Sequence, residues 1–282
     1  MSSLPPSPLP AKPASAADVR RAGRIIYDHC GITLGEGKAD MVRARINRLL
    51  RDGRYPSATA LLDAVEADPQ GQTLTELTDA LSTNLTSFFR EPAHLTHLVN
   101  TALPTVPNGR PVRGWCAACS SGEEAYSLGM SLAQTGRPWL LLATDISTRV
   151  LRRAAEGRYD ATRTGQVPAA LRRHLEPDGP GKVRLSREVR AAIRFRYLNL
   201  MRELPFAGPF DFIFVRNVMI YFDKPTQAAL IARLKAVLRP GGWLYTGHSE
   251  SLTGVDHGMQ LCGTSVYRVP EQPATQAIGR AA

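Results

Sequence analysis

The sequence predicts an α/β protein in which a helical segment precedes an alternating strand–helix segment. Residues 17 to about 100 place apolar side chains at helical spacing, and the Pro/Gly-rich stretch 101–112 predicts a linker. Strands and helices then alternate, which is typical of a parallel sheet. The expected order is a disordered lead-in, a helical domain, a linker, an α/β domain and a tail, at residues 1–16, 17–100, 101–112, 113–270 and 271–282.

Composition limits the class of protein and of partner. The chain has 282 residues and a formal net charge of +10, and it contains no apolar run long enough to span a membrane. Its N-terminus lacks the basic and apolar regions of a signal peptide, which favours the cytoplasm. The positive charge favours an acidic partner, which could be nucleic acid, an anionic membrane surface or an acidic protein.

Cysteine and histidine spacing gives little support for a metal or redox site. Cys116 and Cys119 have C-x-x-C spacing, but the other two cysteines do not form a second ligand pair. We interpret both as small buried residues. His94 and His97 lie three residues apart without a visible third ligand, so we interpret them as packing or surface histidines and expect no metal.

One predicted helix, at residues 38–54, carries a basic face. Its cationic residues are Lys38, Arg43, Arg45, Arg48, Arg51 and Arg54. Acidic residues are nearly missing from the same helix, so we expect little neutralisation by pairing within it. Two interpretations of this basic face remain: it is simply solvated, or it is a docking surface for an acidic partner.

The stretch 114–130 predicts a strand, a small-residue loop and a helix. The loop is Cys119–Gly122, and Glu123 and Glu124 occupy the first helical turn. Unpaired N–H groups at such a helix start suit a nucleotide-like ligand, although an ordinary β–α connection gives the same pattern. Asp145 ends the next predicted strand, 23 residues after Gly122, where an acid commonly binds ribose hydroxyls.

Further polar residues follow predicted strands, and one segment interrupts the α/β alternation. Asn199, Arg216 and Asn217 lie at the carboxyl ends of strands, where open α/β sheets bind ligands. Residues 158–190 predict an insertion with a small β element, which could dock a partner or be a plain excursion.

Four stretches resemble a known family. They are TNLTSFFR at 83–90, ACSSGEEAYS at 118–127, FDFIFVRNVMIYFD at 210–223 and LRPGGWLYTGHSE at 238–250. With their order and spacing from about residue 20 to 270, they resemble the CheR family of chemotaxis receptor methyltransferases. The resemblance implies a Rossmann-like methyltransferase sheet that uses S-adenosylmethionine, an N-terminal all-helical domain and an inserted β subdomain, which 158–190 would supply.

The resemblance also implies an activity and partners. The chain would be a protein-glutamate O-methyltransferase that forms glutamyl methyl esters on chemoreceptors during chemotaxis adaptation. It would act as a monomer, without nucleic acid or membrane insertion. Acidic methylation helices of the receptor would dock on Arg43, Arg45, Arg48 and Arg51.

Motif matching assigns the site residues. The implied cofactor-binding residues are Asn84, Thr86, Arg90, Glu124, Asp145, Asn199, Leu200, Val215 and Arg216. Asp145 would hold the ribose, and Arg90 and Tyr221 would border the reacting methyl group. Ala125 stands where the family usually has Pro, which only loosens the helix start. We assign His248 a structural role, because a glutamate acceptor is already ionised at neutral pH and needs no general base.

Two other functions fit parts of the sequence. A nucleic-acid methyltransferase would explain the charge, but the chain lacks an Asn-Pro-Pro-Tyr-type loop and an aromatic base-stacking cluster. A non-catalytic adaptor that senses the cofactor is the second alternative, and intact Arg90 and Tyr221 argue against it.

Overall fold

A computed structural model describes residues 11–271 of the chain. The predicted disordered lead-in and the predicted tail therefore lie largely outside the described residues. Among residues 11–271, no helix combines the length and the apolar character needed to cross a membrane.

Four helices form the N-terminal part of the structure. They are α1 (Ala16–Cys30), α2 (Ala39–Leu49), α3 (Ala58–Ala67) and α4 (Gln72–Leu81). Ser15 and Asp18 form a capping box at the start of α1, and Gly31 ends it in the left-handed conformation (φ 70°). Apolar side chains such as Ile46, Leu62 and Leu77 are completely buried between these helices.

A short helix leads from this bundle to the sheet. It is α5 (Pro92–His97), and the helical turns Leu98–Ala102 and Leu103–Thr105 continue it. The first residues of the predicted linker 101–112 are therefore helical and partly buried, since Ala102 and Leu103 pack into the core. The first strand begins at Val112.

A seven-stranded sheet forms the centre of the rest of the molecule. Its strands are β1 (Val112–Ala117), β2 (Trp139–Asp145), β6 (Ile193–Tyr197), β7 (Phe210–Val215), β8 (Leu238–Thr246), β9 (Gln260–Gly263) and β10 (Val266–Arg268). The order is β6-β2-β1-β7-β8-β10-β9, with β10 and β9 antiparallel and the others parallel. Because the chain proceeds from β1 to β2 on one side and reaches β7 on the other, the order reverses beside β1, where such sheets bind ligands.

Helices cover both faces of this sheet. They are α6 (Glu123–Ala133), α7 (Thr148–Glu156), α8 (Arg187–Ala191) and α9 (Lys224–Ala236). All six residues of β7 are buried, which agrees with the apolar run expected of a central parallel strand.

The insertion is a small antiparallel sheet between α7 and α8. It comprises β3 (Arg158–Asp160), β4 (Leu175–Pro177) and β5 (Lys182–Leu185), in the order β3-β5-β4. Tyr159 reaches from β3 into the main core, where its hydroxyl donates to the Ser121 carbonyl at 2.6 Å. The insertion therefore contacts the loop that follows β1.

Replacing Tyr159 with Phe should destabilise the fold. The ring packing against Phe88 would remain, but the buried Ser121 carbonyl would lose its donor. We expect a loss of about 1–3 kcal/mol in the free energy of unfolding, measured by chemical denaturation. The control is Tyr55→Phe, whose hydroxyl bonds only the Thr73 side chain at a half-buried position. Equal effects of the two substitutions would contradict the role given to Tyr159.

Candidate functional site

A cleft opens between the helical N-terminal part and the carboxyl edge of the sheet. It encloses about 960 Å³ of empty space, including its open mouth. The helical part contributes Cys30, Ile32, Leu34, Lys38, residues 81–86 and Arg90, and the sheet contributes residues that follow β1, β2, β6 and β7. The cleft thus lies at the reversal point of the strand order.

The structure brings nearly all predicted site residues to this cleft. Its lining includes Asn84, Thr86, Arg90, Glu124, Asp145, Asn199, Leu200, Arg216 and Tyr221. Val215 does not line the cleft, because its side chain is fully buried in the apolar core.

The small-residue loop after β1 follows a backbone path that explains its composition. Ala118, Ser120 and Gly122 all have positive φ, and Gly122 has φ 95°. A Cβ on Gly122 would lie 2.7 Å from the Tyr159 hydroxyl and 2.9 Å from the Ala154 Cβ. Glycine is therefore required here both by conformation and by close packing.

Asp145 anchors this loop from the end of β2. It is 6% exposed, and its carboxylate accepts from the Ser120 amide at 2.8 Å and the Ser147 amide at 2.9 Å. Burial raises the pKa of Asp145 to about 6, although these amide bonds oppose the rise. At pH 7.5 the group is an ionised acceptor facing the cleft.

A buried arginine joins three parts of the site. The Arg216 guanidinium lies 3.0 Å from Glu124 Oε2 and 3.2 Å from Glu91 Oε2, and it donates to the Arg90 carbonyl at 2.6 Å. Burial raises the pKa of Glu124, and the charge of Arg216 opposes that rise. The network ties the end of β7 and the start of α6 to the segment that carries Arg90.

Glu91 is a site residue that sequence reasoning missed. Phe89 and Glu91 both have left-handed backbone, at φ 51° and 53°, a conformation uncommon for such residues. The Phe89 amide donates to Ser127 Oγ at 2.9 Å, which helps to hold this backbone in place. The position of Glu91 directly after Arg90 was the only sequence signal available.

Arg90 and Tyr221 lie at the mouth of the cleft. The Arg90 side chain is 37% exposed, and its guanidinium donates to the Leu85 carbonyl at 3.3 Å. The ammonium of Lys38 lies 4.9 Å from the centre of the Tyr221 ring. Lys38 was predicted on the basic helix but not in the cleft, and Asn217 and Ser120 are further lining residues outside the predicted cofactor set.

Asn199 connects the two halves of the cleft. Its side-chain amide donates to the His29 carbonyl at 2.6 Å, and its side-chain oxygen accepts from the Met201 amide at 2.9 Å. The end of α1 is thereby fixed against the loop after β6.

The basic helix is more neutralised than the sequence suggests. Arg43 pairs with Asp40 at 2.6 Å, and Arg54 pairs with both Asp52 and Glu76. The expectation of an unneutralised face is therefore wrong for these two arginines. The pairing of Arg54 with Glu76 could not be foreseen from the helix itself, because Glu76 belongs to α4 and meets Arg54 only in the folded structure.

The remaining arginines of this face differ in exposure. The half-buried Arg45 guanidinium donates to the Leu81 and Ser82 carbonyls at 3.1 and 2.9 Å, so Arg45 holds the end of α4. Arg48 and Arg51 are exposed, and neither makes an ion pair within residues 11–271.

The cysteine pair has no reactive character. Cys116 and Cys119 are buried, and burial raises the pKa of both thiols well above the usual range. This agrees with their interpretation as small buried residues. His97 packs against Trp243, and its Nδ1 lies 3.0 Å from the Tyr245 hydroxyl.

Comparison with known proteins decides the family. Residues 84–268 match the model described as CheR methyltransferase, SAM binding domain, and residues 17–82 match CheR methyltransferase, all-alpha domain. The chain belongs to the CheR methyltransferase family. It is 40% identical to chemotaxis protein methyltransferase 2 of Pseudomonas aeruginosa, over 89% of this chain and 92% of that one. It is 38% identical to the chemotaxis protein methyltransferase of Escherichia coli, over 90% and 91%.

Membership of the CheR family confirms several predictions together. The fold class, the use of S-adenosylmethionine and the activity of a chemotaxis methyltransferase are those expected from the four motifs. The cleft fits this cofactor chemically. Buried carboxylates at Asp145 and Glu124 match hydroxyl and ammonium groups, and Ile146, Leu198 and Leu200 supply an apolar wall.

S-adenosylmethionine binding should weaken as pH falls through about 6. The pKa of Asp145 is raised by burial, so the carboxylate is ionised at pH 7.5 and gains a proton below pH 6, where it accepts hydrogen bonds less well. Calorimetric titration at pH 5.5 and 7.5 measures the effect. Asp145→Asn should bind roughly tenfold more weakly at pH 7.5 and lose most of the pH dependence.

The control is Asp160→Asn, an ion-paired surface position on the insertion. It should keep the affinity and the pH profile of the wild type. An unchanged pH dependence in Asp145→Asn would assign the titration to another group.

Proposed function

We propose that this chain transfers the methyl group of S-adenosylmethionine to glutamate side-chain carboxylates of chemoreceptors, forming methyl esters. Arg90 carries this proposal. Its guanidinium lies at the cleft mouth, is partly exposed, and makes a single 3.3 Å hydrogen bond, so most of its donors remain available for an acceptor carboxylate.

The cofactor-binding roles follow the lining of the cleft. We assign the ribose hydroxyls to Asp145, and the remaining contacts to Asn84, Thr86, Arg90, Glu124, Asn199, Leu200, Arg216 and main-chain atoms of Val215. S-adenosylmethionine supplies an electrophilic methyl group on a sulfonium. The residues of the chain hold both partners in place and exclude water from between them.

The acceptor requires orientation and no deprotonation. A glutamate side chain has a reference pKa of about 4.3 and is ionised at neutral pH. Arg90 would orient its oxygen, and the hydroxyl of Tyr221, whose ring lies 4.9 Å from the Lys38 ammonium, would help to position it. Neither side chain has to remove a proton during the transfer.

Replacing Arg90 with Ala should nearly abolish methyl transfer. Misorientation of an attacking group costs on the order of 100-fold in rate, and we expect a loss in kcat/KM of at least that size. Transfer of tritium-labelled methyl groups to purified receptor, with RNA and DNA as alternative acceptors, measures it. Arg90→Lys keeps the charge but lacks the forked donors, so it should recover activity only in part.

Arg113→Ala is the matched control, because Arg113 is exposed on β1 and lies outside the cleft lining. Full activity of Arg90→Ala would exclude the proposed acceptor site. Cofactor binding by the wild type without transfer to any acceptor would support the adaptor alternative.

We also propose that the acidic receptor helices dock on the basic face of α2 and the turn after it. Arg48 and Arg51 are its exposed members without an ion pair in the described chain, and Lys38 extends the positive charge to the cleft mouth. Arg43 and Arg45 border the same face. Such charges mainly accelerate the encounter with an acidic partner.

Reversing Arg48 and Arg51 together to Glu should raise the receptor KM roughly tenfold at low salt. The affinity for S-adenosylmethionine should stay unchanged, and the difference should shrink as salt is added. Arg45 is unsuitable for this test, because its loss would also release the end of α4.

The matched control reverses Arg187 of α8 and Arg194 of β6, two exposed arginines outside the basic face, with the same change in net charge. If both double variants raise the KM equally, net charge and not this face governs docking.

Three broader features belong to the same proposal. We propose a division into a helical domain at 17–100 and a methyltransferase domain at 113–270. We also propose a monomer, because one chain supplies the whole lining of the cleft. A cytoplasmic location is supported by the four free thiols, which are typical of a reducing compartment.

A further inference from the structure

Three potential metal ligands meet beside the cleft, outside its lining. They are Glu91, His94 and His248, and one ligand atom of each lies within 4.8 Å of the other two. His94 Nδ1 lies 3.5 Å from Glu91 Oε2, and His248 Nε2 lies 3.8 Å from the same oxygen. The proposed reaction gives this cluster no role.

The hydrogen bonding of His94 shows which of its nitrogens is available. Nε2 lies 2.9 Å from the Thr264 carbonyl, which only accepts, so Nε2 carries the proton. Nδ1 is then unprotonated and carries a free lone pair. This atom is buried and has no hydrogen-bond partner in the described part of the chain.

Two acceptors therefore face each other at 3.5 Å, the buried Nδ1 of His94 and the partly exposed carboxylate of Glu91. The His94 lone pair and the Glu91 carboxylate have no donated proton between them, an arrangement that a bridging cation stabilises. A ligating histidine also commonly donates its second ring nitrogen to a backbone carbonyl, as His94 does to Thr264.

We propose that Glu91, His94 and His248 form a binding site for Zn²⁺ or a similar divalent transition-metal ion. Two imidazoles and one carboxylate are a ligand set typical of zinc, with a fourth position left for water. Tetrahedral ligands about 2.1 Å from zinc lie about 3.4 Å apart, close to two of the distances found here. His248 is 45% exposed, so it can move the remaining distance and provides an entry path.

The site is coupled to the cleft through Glu91. The oxygen that faces both histidines also pairs with Arg216, which in turn binds the Arg90 carbonyl. A cation on Glu91 would compete with Arg216 and loosen the Arg90 segment. Zn²⁺ should therefore inhibit methyl transfer, and the nearby charges of Arg216 and Arg90 should limit the affinity to the micromolar range.

Direct titration of the full chain with Zn²⁺, in competition with a chromophoric chelator, tests the proposal without using activity. We expect one bound ion with a Kd of about 10 µM or below. Co²⁺ in the same experiment should give the intense visible absorption of four-coordinate cobalt. His248→Gln should weaken binding at least about tenfold, because it removes the exposed ligand and leaves the buried ones in place.

Two controls separate this site from other ligands. His257→Gln removes a half-buried imidazole outside the cluster, and Cys262→Ser removes the exposed thiol. Both should bind Zn²⁺ as the wild type does. The proposal is overturned if the wild type binds no Zn²⁺ at about 100 µM, if His248→Gln binds equally well, or if Cys262→Ser abolishes binding.

Methyl transfer provides the second readout. His248→Gln should keep the basal rate and lose inhibition by Zn²⁺, whereas His257→Gln should remain inhibited. Inhibition that persists in His248→Gln would contradict the coupling through Glu91. Because binding is measured separately, an inactive enzyme would count against the proposed function and not against the metal site.

Discussion

The ion pairs of Arg216 hold the site together. A guanidinium with 1% side-chain exposure is costly to bury, and here carboxylates on two sides compensate it. Glu124 belongs to α6 and Glu91 to the segment after Arg90, so one side chain joins the sheet, a helix and the cleft mouth. Loss of either carboxylate would leave Arg216 paired with the other alone and would remove one of the links between the sheet, the helix and the segment that carries Arg90.

The insertion supports the same site from another direction. Tyr159 donates to the Ser121 carbonyl, and Arg163 lies 2.6 Å from the buried Glu123 carboxylate. Both contacts reach the loop after β1 and the first turn of α6. Although the insertion is a separate sheet, it helps to fix the backbone that lines the cleft.

Sequence patterns were sufficient to place a residue in the site where its position depends only on the strand or helix that contains it. The apolar run of β7 and the acid at the end of β2 placed Arg216 and Asp145 at the carboxyl edge of the sheet. Glu91 and Arg45 could not be assigned this way. Glu91 acts through a left-handed backbone and a partner 125 positions later, and Arg45 binds carbonyls at the end of another helix.

The distribution of charge in the cleft suits the proposed reaction. Transfer of a methyl group from a sulfonium to a carboxylate joins two opposite charges and leaves two neutral products, so charge disperses in the transition state. A water-poor site favours that dispersal. A strong ion pair between the acceptor carboxylate and an arginine would oppose the transfer, because it would stabilise the lone pair that has to attack the methyl group. Arg90 is half-exposed at the mouth, whereas Arg216 is buried and already paired. In the proposed reaction the acceptor would thus meet the partly exposed Arg90, where water weakens the pairing, whereas the fully desolvated guanidinium of Arg216 supports the structure.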